Sequence, residues 1–164
     1  MSTKTQRPHK DRILSDLNDI RKELIDTVNQ LSPDELDREF PHGIKNYRAI
    51  LQEIGAMEAI TVGVLKGESD DWEAAVAKAG CKGPDAASVV ADLSKLREET
   101  VAYLEAATED QMETPFDLPQ SWHGYFNAPH VEPEELFRWI VRHEYYHLGQ
   151  MITMRWMDGH NPYK

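Results

Sequence analysis

Apolar residues recur at intervals of three and four along most of the chain. Between Asp11 and Leu31 they fall at Ile13, Leu14, Leu17, Ile20, Leu24, Ile25, Val28 and Leu31. That spacing returns to one side of a helix on every turn and predicts an amphipathic helix. Ser32-Pro33-Asp34-Glu35 reads as a new N-cap with proline at the first helical position, a short turn that FPHGIKN breaks. A second long helix is predicted from Asn46 to Lys66, ending at Gly67. ESDDWEAAVAKAG suits a short helix inside the following connection. A third long helix begins near Asp85 and carries Val89, Val90, Leu93, Leu96, Val101 and Leu104. The stretch PFDLPQSWHGYFNAPHVEP is rich in proline and aromatics and is too long for a plain connector. The fourth helix opens at Pro133-Glu134-Glu135, where proline and acids favour a helix start, and runs to about Met157, before DGHNP. No period-two alternation and no internal repeat is present. Four long amphipathic helices predict an all-α fold, a four-helix bundle with a long loop before the last helix. The unequal connections do not require a simple up-down order. At 164 residues, a single domain over 1–164 is expected.

Polar residues that interrupt the apolar stripes carry the candidate chemistry. The stripe of the second long helix reads Ile50, Glu53, Met57, Ile60, Val64, apolar except at Glu53. A carboxylate in a core stripe is costly unless it is paired or coordinates something. On the fourth helix the stripe reads Leu136, Ile140, His143, His147, Gln150 or Met151, Met154. His143 and His147 stand four apart, adjacent on one face, and can share one ion. Glu53 and the two histidines together would make a three-donor set with positions left for water or substrate. Spacing alone leaves a second reading open, in which the carboxylate and histidines form a buried salt-bridged network.

His143-Glu144-Tyr145-Tyr146-His147 also spells H-E-x-x-H, the zinc-peptidase helix. The extended form of that motif continues with glycine three residues after the second histidine and a third histidine six after it. Here those positions are Gln150 and Thr153. Only Asp158 and His160, in the helix-breaking tail, offer a later ligand. The peptidase reading therefore lacks its third donor, although Glu144 is the residue type of a general base.

Charge narrows the partners. A formal net charge of -11, with no long run of Lys and Arg, argues against nucleic acid and anionic membrane surfaces. The most apolar window, AILQEIGAMEAITVGVL, contains Gln52, Glu53 and Glu58 and is too polar and short to span a bilayer. The N-terminal MSTKTQRPHKDR has no apolar h-region, so no signal peptide is expected. The single cysteine, Cys81, forms no internal disulfide and is expected to be a loop thiol. A cytoplasmic protein is the expectation.

His143, His147, Gly149 and Gln150 fit the pattern H-x-x-x-H-x-G-Q, and NYRAILQEIGAME lies far upstream. In these segments, and in the order of helices over most of the chain, the sequence resembles the DinB/YfiT-like superfamily of metal-binding four-helix bundles. The resemblance implies a divalent metal ion, often zinc or nickel, on three histidines. One comes from the second long helix and two from the last. This sequence departs at the first of them, which falls on Glu53; a carboxylate can bind the same metals. The resemblance further implies a metal-dependent enzyme acting on a small-molecule substrate, a thiol-dependent S-transferase or a hydrolase. In that reading Glu53, His143 and His147 hold the metal, and Glu144 or a loop histidine such as His123 moves the proton. The other expectation is a non-catalytic bundle with a buried Glu/His network or a structural metal, acting by association. A homodimer is expected under both.

The remaining candidates have two readings each. His123 and His130 are surface loop histidines unless the loop folds over the bundle mouth. Trp122, Tyr125 and Phe126 are expected to anchor the loop to the bundle; otherwise they wall a pocket. Tyr146 is expected in the core, Gln150 beside the histidines, and His9 and His42 in loops.

Overall fold

A computed structural model describes residues 9–161. Helix α1 (His9–Val28) is followed by the short α2 (Pro33–Leu36), α3 (Tyr47–Leu65), α4 (Trp72–Ala79), α5 (Ala86–Ala106) and α6 (Glu109–Glu113). Strand β1 (Phe116–Asp117), α7 (His123–Phe126) and strand β2 (His130–Val131) lead into α8 (Pro133–Met157). The helix starts follow local chemistry. The Asn46 side chain accepts from the Ala49 amide at 2.8 Å, and Ser32 and Glu35 form a capping box on α2. Asp85 and Ser88 do the same on α5.

The four long helices form a ring in the order α1, α8, α3, α5, so α1 faces α3 across the core and α5 faces α8. Side chains fix the directions. Tyr103 Oη donates to the Leu65 carbonyl at the C-terminal ends of α3 and α5, while Arg48 reaches the Cys81 carbonyl before α5, so these two helices run parallel. Lys10 donates to the Glu105 carbonyl, which makes α1 antiparallel to α5. His9 meets Glu134 and Arg155 reaches Gln30, so α1 and α8 run parallel. The order is up-down-down-up. The connection from α3 to α5 must therefore travel the length of the bundle, and it carries α4, which packs on both helices.

At the crossing of α3 with α4 and α5 the backbones approach closely at Gly55. A Cβ there would stand 3.0 Å from Ala79 Cβ and 3.1 Å from a Leu93 methyl. Gly55→Val is expected to cost about 1–3 kcal/mol by overpacking, read as a lower urea midpoint. An unchanged midpoint would show that α4 is free to shift.

The apolar core is split in two. One cluster gathers Leu17, Ile60, Leu104 and Phe137; the other gathers Leu24, Leu51, Leu93 and Met151. Between them each long helix contributes one charged side chain: Arg21 from α1, Glu58 from α3, Arg97 from α5 and Glu144 from α8. All four are buried. Arg21 Nε donates to Glu144 Oε1 at 2.7 Å and its Nη2 to Glu58 Oε2 at 2.6 Å. Arg97 Nε donates to Glu58 Oε1 at 2.7 Å and its Nη2 to Glu144 Oε2. Thr100 Oγ1 adds a bond to Glu58 Oε1 at 2.6 Å, and the Leu93 and Leu17 carbonyls each accept from the Nη1 of one arginine. The layer is formally neutral and fully hydrogen-bonded, the condition under which buried charge is tolerated.

Cys81 is in a loop, as expected. It lies in the connection before α5 but is fully buried, and burial with nearby Asp92 pushes its thiol up to about 12. That leaves it unreactive at neutral pH. Among the described residues, no helix is long and apolar enough to cross a membrane.

Candidate metal centre

Three donors meet on the flank of the bundle, where α3 passes antiparallel to α8. Glu53 comes from the second turn of α3, and His143 and His147 from successive turns of α8. One donor atom from each lies within 4.8 Å of the other two. His147 Nε2 is 3.2 Å from His143 Nε2 and 3.9 Å from Glu53 Oε1. Ligands about 2.1 Å from one tetrahedral ion stand roughly 3.4 Å apart, so the set is close to the spacing one ion requires.

Neighbouring groups prepare these donors. His147 Nδ1 lies 2.8 Å from Gln150 Oε1, and Gln150 Nε2 donates to the Tyr146 hydroxyl at 2.9 Å. A proton on Nδ1 satisfies that bond and leaves the Nε2 lone pair free, the arrangement common behind a metal-bound imidazole. His143 is held down at about 4, first by burial and then by the neighbouring His147, so its ring is neutral at neutral pH. Lys45 Nζ donates to Glu53 Oε2 and leaves Oε1 turned to the histidines.

The predicted residues are placed as follows. Glu53, His143 and His147 come together as expected, but not in the core centre. The Glu53 side chain is 24% exposed, and the centre of the α3 stripe is Glu58, at 1%. The same offset occurs on α8, where the innermost stripe runs Phe137, Ile140, Glu144, Leu148, Met151. A shift of one residue is about 100° on a helix, enough to place His143 and His147 on the flank and Glu144 inside. Glu144, expected beside the ligands, spends both oxygens on Arg21 and Arg97. His123 is not on the wall of the cavity beside the triad, and its Nε2 lies 3.2 Å from the Leu118 carbonyl. His130 is on the surface with Asp117. Tyr146 is exposed rather than in the core, its ring edge against His147 at 5.1 Å. His9 opens α1 rather than lying in a loop. Gln150 stands where expected.

The long loop is folded onto the bundle. Phe116 pairs with Val131 and Asp117 with His130 in a two-stranded antiparallel clasp. The clasp closes a loop whose tip carries Trp122 and Phe126, stacked at 6.2 Å. Phe126 packs against Trp139 of α8 at 5.3 Å, and Ser121 donates to Asp70 in the connection after α3. Trp139 was not a sequence candidate, although it sits one turn before His143 and the rings lie 6.4 Å apart. Between loop and helices opens a cavity of about 510 Å³, with Glu53 and His143 on its wall. A second depression, about 910 Å³, reaches the triad from the other side past Lys45, Tyr146 and Gln150. The aromatic loop residues thus serve both readings: Trp122 is buried and anchors the loop, while Trp122, Tyr125 and Phe126 line the cavity.

Residues 46–151 match the DinB superfamily, a span that contains all three donors, the whole of α3 and α8 as far as Met151. The chain belongs to the DinB superfamily. No curated protein matches it. The DinB bundle is therefore present here with a carboxylate on α3 beside the histidine pair of α8, and this donor set fits a divalent metal ion.

Proposed function

We propose that this DinB-superfamily protein is a metal-dependent enzyme acting on a small molecule, with Glu53, His143 and His147 as the ligands. The observation that carries the reading is a three-donor set with two of its members, Glu53 and His143, on the wall of a cavity large enough for a small-molecule substrate. A divalent ion in such a site supplies Lewis acidity and a nucleophile at neutral pH. The chain's own groups orient the ligands and shape the approach. Gln150 fixes the His147 tautomer, Lys45 holds Glu53 in place and is a proton donor at its Oε2, and the folded loop limits water on the cavity side. Glu144 is committed to Arg21 and Arg97 and His123 lies off the cavity wall, so neither is assigned the proton; Glu53, on the walls of both depressions with Lys45 at its Oε2, is the group placed to move it. Thiol transfer and hydrolysis are the reactions to screen first. The Lys45–Glu53 ion pair favours a second reading, a metal-free polar network in a bundle that acts by association.

Elemental analysis of protein purified without tag or chelator separates the two. About one equivalent of zinc, nickel, iron or manganese per chain is expected in the wild type, and none in a His143→Ala, His147→Ala double variant. A wild-type protein that is empty and takes up no added metal would sink the enzyme reading.

A further inference from the structure

The cavity beside the triad has an unusual wall. Trp72, Trp122, Tyr125, Phe126 and Trp139 are on it, and its carboxylates are Glu53 and Asp70; no lysine or arginine lines it. Asp70 stands on the wall with Oδ2 accepting from Ser121, and no cationic side chain among the described residues pairs with it. Along α3 the wall runs Glu53, Met57, Ile60, and Asp70 follows beyond the helix end at Leu65. Glu53 and Ile60 are seven residues apart, about 10 Å along the helix, and Asp70 lies beyond its C-terminal end. Aromatic faces carry negative charge at their centres and attract cations, most strongly for tryptophan. Trp139 already shows this attraction, with the Arg142 guanidinium 6.0 Å from its ring. With Glu53 committed to the ion and to Lys45, the free carboxylate on the wall is Asp70, and at its end of the cavity an anionic substrate would meet that charge and electron-rich rings. A cationic one would find both a counter-charge and ring faces, in a protein whose net charge of -11 draws cations toward it.

We propose that this cavity binds a small organic cation, an amine or quaternary ammonium with an apolar body, its charge at Asp70 and its body along the aromatic wall toward His143. The inference rests on the cavity being the substrate side of the metal site, as proposed above.

Calorimetric titration of three aromatic probes tests it: benzyltrimethylammonium, benzyl alcohol and benzenesulfonate, with metal content measured on the same samples. The ammonium is expected to bind about tenfold more tightly than the alcohol, and the sulfonate more weakly than either. Asp70→Asn is expected to remove most of the tenfold preference and leave benzyl alcohol unchanged. Trp72→Leu, at a half-exposed position tolerant of change, is expected to weaken the ammonium severalfold. Sulfonate binding as tight as that of the ammonium, no binding of any probe, or a preference unaffected by Asp70→Asn would overturn the inference. Metal without cation preference overturns this inference alone. Cation preference in a protein that neither holds nor takes up metal supports it and overturns only the metal reading.

Discussion

Glu144→Ala is expected to destabilise the protein by about 3–5 kcal/mol, although Glu144 lies in a motif that reads as catalytic. Removing it leaves Arg21 and Arg97 facing a single carboxylate in a layer closed to water. The cost is that of uncompensated buried charge, far above the few tenths typical of a surface change. Glu58→Ala is expected to match it, since Glu58 also serves both arginines and accepts from Thr100. A variant in which Arg21 and Arg97 become Met and Glu58 and Glu144 become Leu is expected to recover much of the loss. Neutral apolar side chains of similar volume need no partners. Urea unfolding of the three variants reads this directly. Single variants within 1 kcal/mol of wild type would show that water enters the layer. The same layer sets an acid limit. Burial pushes the Glu58 carboxyl up, but Arg21 and Arg97 outweigh it and hold it at about 2. A carboxyl depressed in the folded state stabilises fully above its unfolded value of 4.5, and the contribution is lost as pH falls from there toward 2.

The sequence carried the helices well because each is announced twice, by apolar spacing and by its ends. Asn46, Asp85 and Pro133 stand at or next to the observed starts of α3, α5 and α8. The up-down-down-up order was not legible, since spacing says which face is buried but not which neighbour buries it. The triad was legible because a carboxylate and two imidazoles interrupt otherwise apolar stripes. Its depth was not. Stripes on α3 and α8 are wide enough that a shift of one residue still looks apolar, and this exchanged the flank pair Glu53 and His143 for the central pair Glu58 and Glu144. A signal for the central layer was present. On each long helix the layer's charged residue has apolar residues a turn away on both sides: Leu17-Arg21-Leu24, Ile54-Glu58-Val62, Leu93-Arg97-Val101 and Ile140-Glu144-Leu148. Two are basic and two acidic, so the set balances. Trp139 and Asp70 were missed because a cavity wall drawn from four separate segments leaves no periodic trace.

His147→Ala is expected to give the largest loss of metal affinity of any single change at the flank site. His147 is the most buried of the three donors, its Nε2 lies between His143 and Glu53, and its Nδ1 is tied to Gln150. Two donors on neighbouring helices then remain, too few to hold an ion against water and buffer. Gln150→Leu keeps all three donors but frees the His147 ring, and tenfold to hundredfold weaker binding is expected. Glu53→His exchanges carboxylate for imidazole, frees Lys45 and is expected to retain binding, with preference moved toward nickel and copper over manganese because nitrogen donors suit them better. Competition against a chromogenic chelator at fixed pH orders the series. Wild-type affinity in His147→Ala would place the metal elsewhere. A Gln150→Leu loss as large as that of His147→Ala would instead mean that ring orientation, rather than the number of donors, decides whether the ion stays.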